Sequence, residues 1–250
     1  MSDFPYRLTV AIGTRGTLGL IVLQVDETIE QDFRRLLPAQ DLALYVSRIP
    51  SGADLTEDSI AQMERDLPAA AALLPQAPEF DVAGYACTSG TALIGAARVA
   101  ELVRGACRAR SVSTPLTAAG TALRHLGLRR LGIVSPYAAE IADGLRDAFE
   151  AMGFAVPRAL SFGERTEANV ARIDPVSIRE AAREIARAGD IDGVFLSCTN
   201  LRTLDVIAPL EDELGLPVLS SNLVMAWDMA RAAGATDLLR GGGRLLAGRG

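Results

Sequence analysis

Two cysteines in the chain are each followed by a threonine and further small polar residues: Cys87 in "GYACTSGTALI" and Cys198 in "VFLSCTNLRTL". Each closes an apolar run that reads as a buried strand and stands at the entrance to the next helix. In parallel α/β sheets that carboxyl edge is where ligands bind. A helix N-terminus there offers backbone N–H groups to a carboxylate and lowers the pKa of a thiol. Thr88, Ser89 and Thr91 after the first cysteine, and Thr199 and Asn200 after the second, add donors for carboxylate oxygens. A single such cysteine would read as ordinary core, but two in matching contexts point to chemistry. If the two segments face each other about a pseudo-twofold axis, the thiols lie on opposite sides of one cleft. One could then take a proton from one face of a carbon while the other supplies a proton to the opposite face. A thiolate pKa near neutrality is expected, so that the pair holds one proton between them. Cys107, in "VRGACRARS", has no such context and reads as structural.

The elements that must position these thiols alternate along the chain. Strands are expected at 19–25, 42–48, 80–87 and 111–114, and again at 130–135, 155–162, 192–198 and 216–221. Helix signals lie between them, among them "TEDSIAQMERDL" with Thr56 as N-cap and "AAEIADGLRDAFEAMG" closing on Gly153. The stretch "AIGTRGTLGL" at 11–20 reads as a hairpin or irregular loop. Aligning "LIVLQVDETIEQDF" with "GIVSPYAAEIADGL" sets Ile21 on Ile133 and Ile29 on Ile141, an offset of 112, while Cys87 and Cys198 lie 111 apart. Near-equal offsets in separate segments indicate a duplicated βα unit. The expected fold class is α/β: two similar doubly wound domains with parallel sheets, related by pseudo-twofold symmetry, with the active site in the cleft between them. The first domain covers 1–114 and the second 115–222. A C-terminal helix over 223–250, with Trp227 as a packing residue, returns to the first.

Composition removes other classes. A net charge of −6 argues against a nucleic-acid or anionic-membrane partner. No apolar run is long enough to span a bilayer. Three cysteines in a chain of 250 residues fit a reducing cytoplasm better than a disulfide scaffold. The one histidine, His125 near a helix end, excludes a Cys/His zinc site and reads as a surface group, so no metal is expected. "GTRGTLG" lacks the strand–GxGxxG–helix context of a dinucleotide site. The carboxylates of "ERTEAN" and "LEDEL" read as helix-surface charge, and the Gly- and Arg-rich end reads as a frayed terminus.

"GLIVLQVDETIEQDF", "GYACTSGTALIG", "IVSPY", "EANVARID" and "FLSCTNLRTL" followed by "PVLSSN" together resemble the aspartate/glutamate racemase superfamily. Within it they are similar to maleate cis–trans isomerases, arylmalonate decarboxylases and the A protein of ectoine-utilisation operons, and "LYVSRIPSG" is most similar to the last. The resemblance implies two similar domains, no cofactor, a small carboxylate substrate, a homo-oligomer (dimer or tetramer), and Cys87 and Cys198 as the reacting thiols. It also implies that Tyr137 in "SPY" and Asn169 in "EANV" contact substrate carboxylates. The decarboxylases keep only the second cysteine, so the presence of both counts against decarboxylation. Where maleate isomerases carry Asn in a "PSSNT"-like stretch, this chain has Asp26. A carboxylate there repels a dicarboxylate and suits an ammonium group, or simply caps the helix that begins at "ETIEQ".

Three readings follow. In the first, a racemase of small amino carboxylates, one thiolate removes the α-proton and the other thiol returns a proton from the opposite face. In the second, a maleate-type isomerase, the Cys87 thiolate adds to a cis double bond, the bond rotates and elimination gives the trans product. In the third, the chain binds a carboxylate without turnover, in which role two thiols have no use.

Overall fold

A computed structural model of the chain describes residues 3–247. Its first half runs β1 (Gly16–Leu23), α1 (Ile29–Leu36), β2 (Leu42–Ile49), α2 (Glu57–Ala72), β3 (Phe80–Ala86), α3 (Thr88–Ile94), α4 (Ala96–Ala106) and β4 (Ala109–Ser113). Helix α5 (Pro115–His125) leads into β5 (Arg130–Ser135), α6 (Ala139–Ala151), β6 (Ala155–Ser161), α7 (Glu167–Val170) and α8 (Pro175–Ala186). The second half closes with β7 (Gly193–Leu196), α9 (Leu204–Leu214), β8 (Val218–Ser220) and α10 (Ser221–Ala232). A 3-10 turn at Thr236–Leu238 and α11 (Arg244–Ala247) follow.

The strands form two parallel four-stranded sheets, ordered β2-β1-β3-β4 and β6-β5-β7-β8. One connectivity is thus used twice, as the sequence offset suggested. Ile21 lies opposite Tyr85 in the first sheet, and Ile133 lies opposite Phe195 in the second. Each register brings a cysteine just past the carboxyl end of a central strand. Strands covered on both faces must be apolar along their length, and Leu18, Leu20, Ile21 and Val22 of β1 are indeed fully buried. β1 begins at Gly16, inside the stretch expected to be irregular, and ends at Leu23 because the Asp26 carboxyl draws the following backbone into a turn.

Helix α10 continues directly from β8, and the Ser220 hydroxyl caps it by accepting from Leu223 N at 3.3 Å. It packs on β3, β4 and α1 of the first half, on α5 and on β8, and is buried from Ser221 to Ala230. Trp227 is a packing residue here; its ring lies 5.3 Å from that of the exposed His125, the last residue of α5. Two expectations for the end of the chain are corrected. The single helix is broken at Ala233–Ala235, and the tail is held down through residue 247: Arg240 N donates to Leu36 O at 2.7 Å and Arg244 N to Glu211 Oε2 at 2.7 Å. Glu211 of "LEDEL" is therefore not a surface carboxylate, because it is buried and also accepts from Val218 N at 2.9 Å. Residues 248–250 lie outside the described residues.

The contact between α1 and α10 holds one buried charge. Asp32 Oδ2 accepts from Asn222 Nδ2 at 2.8 Å, and burial pushes its carboxyl from 3.8 up to about 6. The folded chain thus holds this proton longer than the unfolded chain. The cost of ionising Asp32 is absent below about pH 4, grows as pH rises to about 6, and is complete above that. Asp32→Asn keeps an acceptor for Asn222 and removes the charge. Urea unfolding across this pH range should show the variant gaining on the native chain, to roughly 1–3 kcal/mol at pH 7; parallel stability curves would contradict the assignment.

Candidate active site

Cys87 is the N-cap of α3, and its Sγ accepts from Gly90 N at 3.2 Å with Ser89 Oγ at 3.6 Å. The position depends on Gly90: a Cβ there would stand 2.9 Å from Cys87 Sγ and 2.7 Å from the Tyr85 hydroxyl. Cys198 is placed differently from the expectation. It does not open a helix; Thr199–Thr203 form a turn before α9 begins at Leu204. Its φ of 106° makes it the one non-glycine residue in the left-handed region among the described residues. A conformation of this kind costs about 1–3 kcal/mol and persists only where surrounding bonds enforce it.

Those bonds come from the other half and from α10. Cys198 N donates to Ser221 Oγ at 3.1 Å, and that same hydroxyl lies 2.9 Å from Thr88 Oγ1. One serine therefore ties the two cysteine loops together. Thr199 Oγ1 donates to Ala86 O at 3.3 Å, next to Cys87, and Asn222 Nδ2 holds Thr199 O at 2.8 Å. Asn200 is fully engaged: Oδ1 accepts from Glu27 N at 2.9 Å, its carbonyl accepts from Thr28 Oγ1 at 2.8 Å, and Nδ2 donates to Glu167 O and Oε2. Thr88, Thr199 and Asn200, expected as free donors for a substrate carboxylate, instead clasp the two halves with these side chains. Ser89 stays beside the Cys87 thiol.

Asp26 stands just ahead of α1 and bonds its first backbone N–H groups. Oδ1 accepts from Thr28 N and Ile29 N, each at 2.8 Å, and so caps α1. Oδ2 is buried and has no hydrogen-bond partner. Tyr137 is buried, with its hydroxyl accepting from Ser197 Oγ at a long 3.4 Å and near enough to both thiols to feel their charge. Asn169 is not brought to the site. It is exposed, and Nδ2 donates to Glu164 Oε2 at 3.2 Å. Helix α7 is a single turn, so Glu167 and Val170 face inward while residues 168 and 169 face out.

Glu167 corrects the reading of "ERTEAN" as surface charge. A short antiparallel contact between Asp54 and Thr166 joins the loops after β2 and β6, and Glu167 N donates to Ala53 O at 3.0 Å. These contacts turn the Glu167 side chain inward, where it is only 5% exposed, feels Asp26 and acts electrostatically on Cys87, Cys198 and Tyr137. Glu167 and Ser221 are the site residues that sequence reasoning passed over. The available signals were the place of "EAN" beside a motif already singled out and the position of "LSSN" at the carboxyl end of the last strand.

Burial dominates the electrostatics. It pushes the Cys87 thiol up to about 11 and Cys198 well above its ordinary value, with the Glu167 carboxylate adding to both. Burial thus works against the thiolate expected near neutrality at both positions. Gly90 N and Ser89 favour the Cys87 thiolate but do not outweigh desolvation. Burial likewise raises the Asp26 and Glu167 carboxyls.

Two parallel sheets of one connectivity, each aiming a cysteine into a shared buried seam, define a duplicated α/β enzyme fold of the aspartate/glutamate racemase type. The arylmalonate decarboxylase family model matches residues 53–246. The arylmalonate decarboxylase of Bordetella bronchiseptica is 33% identical over 240 residues, covering 92% of this chain and 95% of that protein. The chain belongs to the arylmalonate decarboxylase family. Its fold is also that of the maleate isomerase Iso from Pseudomonas putida S16, with a TM-score of 0.84 and 24% identity over 93% of this chain and 98% of the other. A cysteine-to-serine mutant of the Nocardia farcinica maleate cis–trans isomerase, solved with a covalently bound succinylcysteine intermediate, superposes with a TM-score of 0.80 at 23% identity, over 92% and 98% of the two chains.

Glu167→Gln keeps the hydrogen-bonding shape and removes the charge that both thiols feel. Thiolate absorbance followed against pH should titrate at lower pH in this variant than in the native chain, with Cys87→Ser and Cys198→Ser assigning each thiol. An unchanged titration would show that Glu167 does not act on the thiols.

Proposed function

We propose that the chain is a two-thiol isomerase of small carboxylates, with Cys87 adding to a cis double bond between carboxylates and Cys198 acting opposite it. The observation that carries this reading is the joining of two cysteine loops, one from each sheet, through the single Ser221 hydroxyl into one buried seam. The division into 1–114 and 115–222, with the C-terminal segment returning to the first part, belongs to the same proposal.

Thiolate sulfur attacks one alkene carbon, and the π electrons move to the other, where the adjoining carboxylate delocalises them. With the double bond reduced to a single bond, rotation brings the two carboxylates apart. Expulsion of the thiolate then re-forms the double bond as trans. The Cys198 thiol can protonate the carbanion in between and recover that proton before elimination, so atoms and charge balance with no cofactor. Burial favours the protonated thiols, so the Cys87 proton passes first to a base, and Glu167 is a buried carboxylate that both thiols feel. The N–H of Gly90 stabilises the sulfur anion when it forms. A succinylcysteine, as held by the Nocardia farcinica protein, is the species that this addition and protonation would leave on Cys87. Retention of both cysteines favours isomerisation over decarboxylation.

A second reading rests on Asp26. Its unpartnered, buried Oδ2 replaces the Asn of maleate isomerases and suits an ammonium group. With an amino carboxylate the same two thiols would exchange a proton at the α-carbon, which is racemisation.

Proton NMR in D₂O separates these readings, using maleate, an arylmalonate, and both enantiomers of aspartate, glutamate and 2,4-diaminobutyrate. Conversion of maleate to fumarate, reduced roughly a thousandfold or more in Cys87→Ser and in Cys198→Ser, is the expected result. Asp26→Asn should then improve kcat/KM for maleate by roughly tenfold, a change of about 1.4 kcal/mol. Deuterium entering the α-position of an amino acid with loss of handedness would establish racemisation instead. Loss of one carboxyl from the arylmalonate would place the chain with the decarboxylases.

A further inference from the structure

Ahead of β1 the chain carries a segment that joins neither sheet among the described residues. Phe4, Tyr6, Leu8, Val10 and Ile12 are 88, 82, 88, 76 and 70% exposed, and the residues between them are exposed as well. Large apolar side chains at every second position are the pattern of a strand with one apolar face, yet residues 3–12 join neither sheet among the described residues. Five such side chains in water are a patch that soluble chains do not leave uncovered.

The root of the segment says where a cover lies. Arg15 N donates to Asp41 O at 3.0 Å, and Gly13, at φ +81°, sits so close to β2 that a Cβ would come within 2.7 Å of Ala43 Cβ. The segment thus departs beside the start of β2. That strand is the outer edge of the first sheet and pairs only with β1. Its free edge offers unpaired backbone groups, with Val46 38% exposed and Leu44 and Tyr45 partly exposed.

We propose that residues 3–12 are an exchange arm that docks along the β2 edge of a second copy of this chain, forming a twofold dimer. Because the arm leaves beside the edge that receives an arm, one twofold axis near the start of β2 serves both exchanges, as a closed isologous contact requires. Strand addition supplies the backbone bonds, and the alternating side chains supply the apolar contact. The area fits: five side chains of this size cover roughly 700 Å² per arm, so two arms approach the ~1,600 Å² of a standard stable interface. This inference does not depend on the reaction proposed for the cysteines.

Light scattering coupled to size exclusion, at micromolar concentration, tests it on four chains: the full chain, a chain truncated before Gly13, the double variant Leu8→Asp/Val10→Asp, and Val46→Asp. The expected result is twice the chain mass of 26.4 kDa for the full chain and a single chain mass for the other three. Circular dichroism should be unchanged in all of them, since none of the altered side chains belongs to the core. A full chain of single mass would overturn the proposal, and its co-sedimentation with anionic vesicles would name lipid as the occupant instead. Persistence of the dimer in the truncated chain would show that another surface makes it. Persistence in Val46→Asp alone would overturn the β2 seat.

Discussion

The seam between the two sheets is closed to water, and the rest of the site follows from that constraint. Asp26, Glu167, Tyr137, Cys87 and Cys198 are each no more than 6% exposed. An ionised group in such a place lacks hydration, and Arg48 lowers Asp26 by less than burial raises it. Each of the five is therefore pushed toward its neutral form. Chemistry here must create charge by passing a proton from one of these groups to another rather than by keeping a standing thiolate. This makes the two thiols and Glu167 one coupled system, whose titration belongs to the set rather than to any member.

A closed seam also demands that its polar atoms find partners, and the hydrogen bonds that satisfy them are the ones that align the halves. Ser221, Asn222, Thr199 and Asn200 all bond across the join. Losing one of these from a buried site leaves its partner unsatisfied, at about 1–3 kcal/mol. The surface pairs that also cross the join, Arg172 with Glu27 and Arg35 with Asp205, are exposed and contribute little by comparison. The left-handed backbone of Cys198 is held by the same network. Two acceptors stay unmatched within it, Asp26 Oδ2 and Asn222 Oδ1.

Much of this was legible in the sequence because burial leaves a compositional trace. The central strands, covered on both faces, are apolar runs; the eight expected strands all overlap observed ones, and β5 matches end to end. The repeated connectivity was visible as the offset between Ile21 and Ile133. Cys87 and Cys198 stood out because a polar turn directly after a buried strand marks the carboxyl edge of a sheet. Local pattern could not reveal which side chains would be consumed by the join. Asn200 and Thr199 look like substrate donors until the other half supplies their partners. Glu167 and Glu211 look like surface charge because their burial is imposed by loops distant in sequence, at Ala53 and Arg244. Asn169 lies outside the buried seam for a geometric reason: in a one-turn helix, a shift of two residues exchanges the inner face for the outer. A helix N-terminus can be read from sequence, whereas the depth of desolvation that raises both thiols cannot.

The central claim is that a thiol of one half adds covalently to a small unsaturated carboxylate while the thiol of the other half handles the proton. Its most direct test is intact-protein mass spectrometry of the Cys198→Ser chain after incubation with maleate, followed by peptide mapping. The expected result is a mass increase of one maleic acid per chain, located on Cys87 and absent from the Cys87→Ala/Cys198→Ser chain. An unmodified Cys198→Ser chain, from a preparation whose native form converts maleate to fumarate, would contradict covalent addition by Cys87.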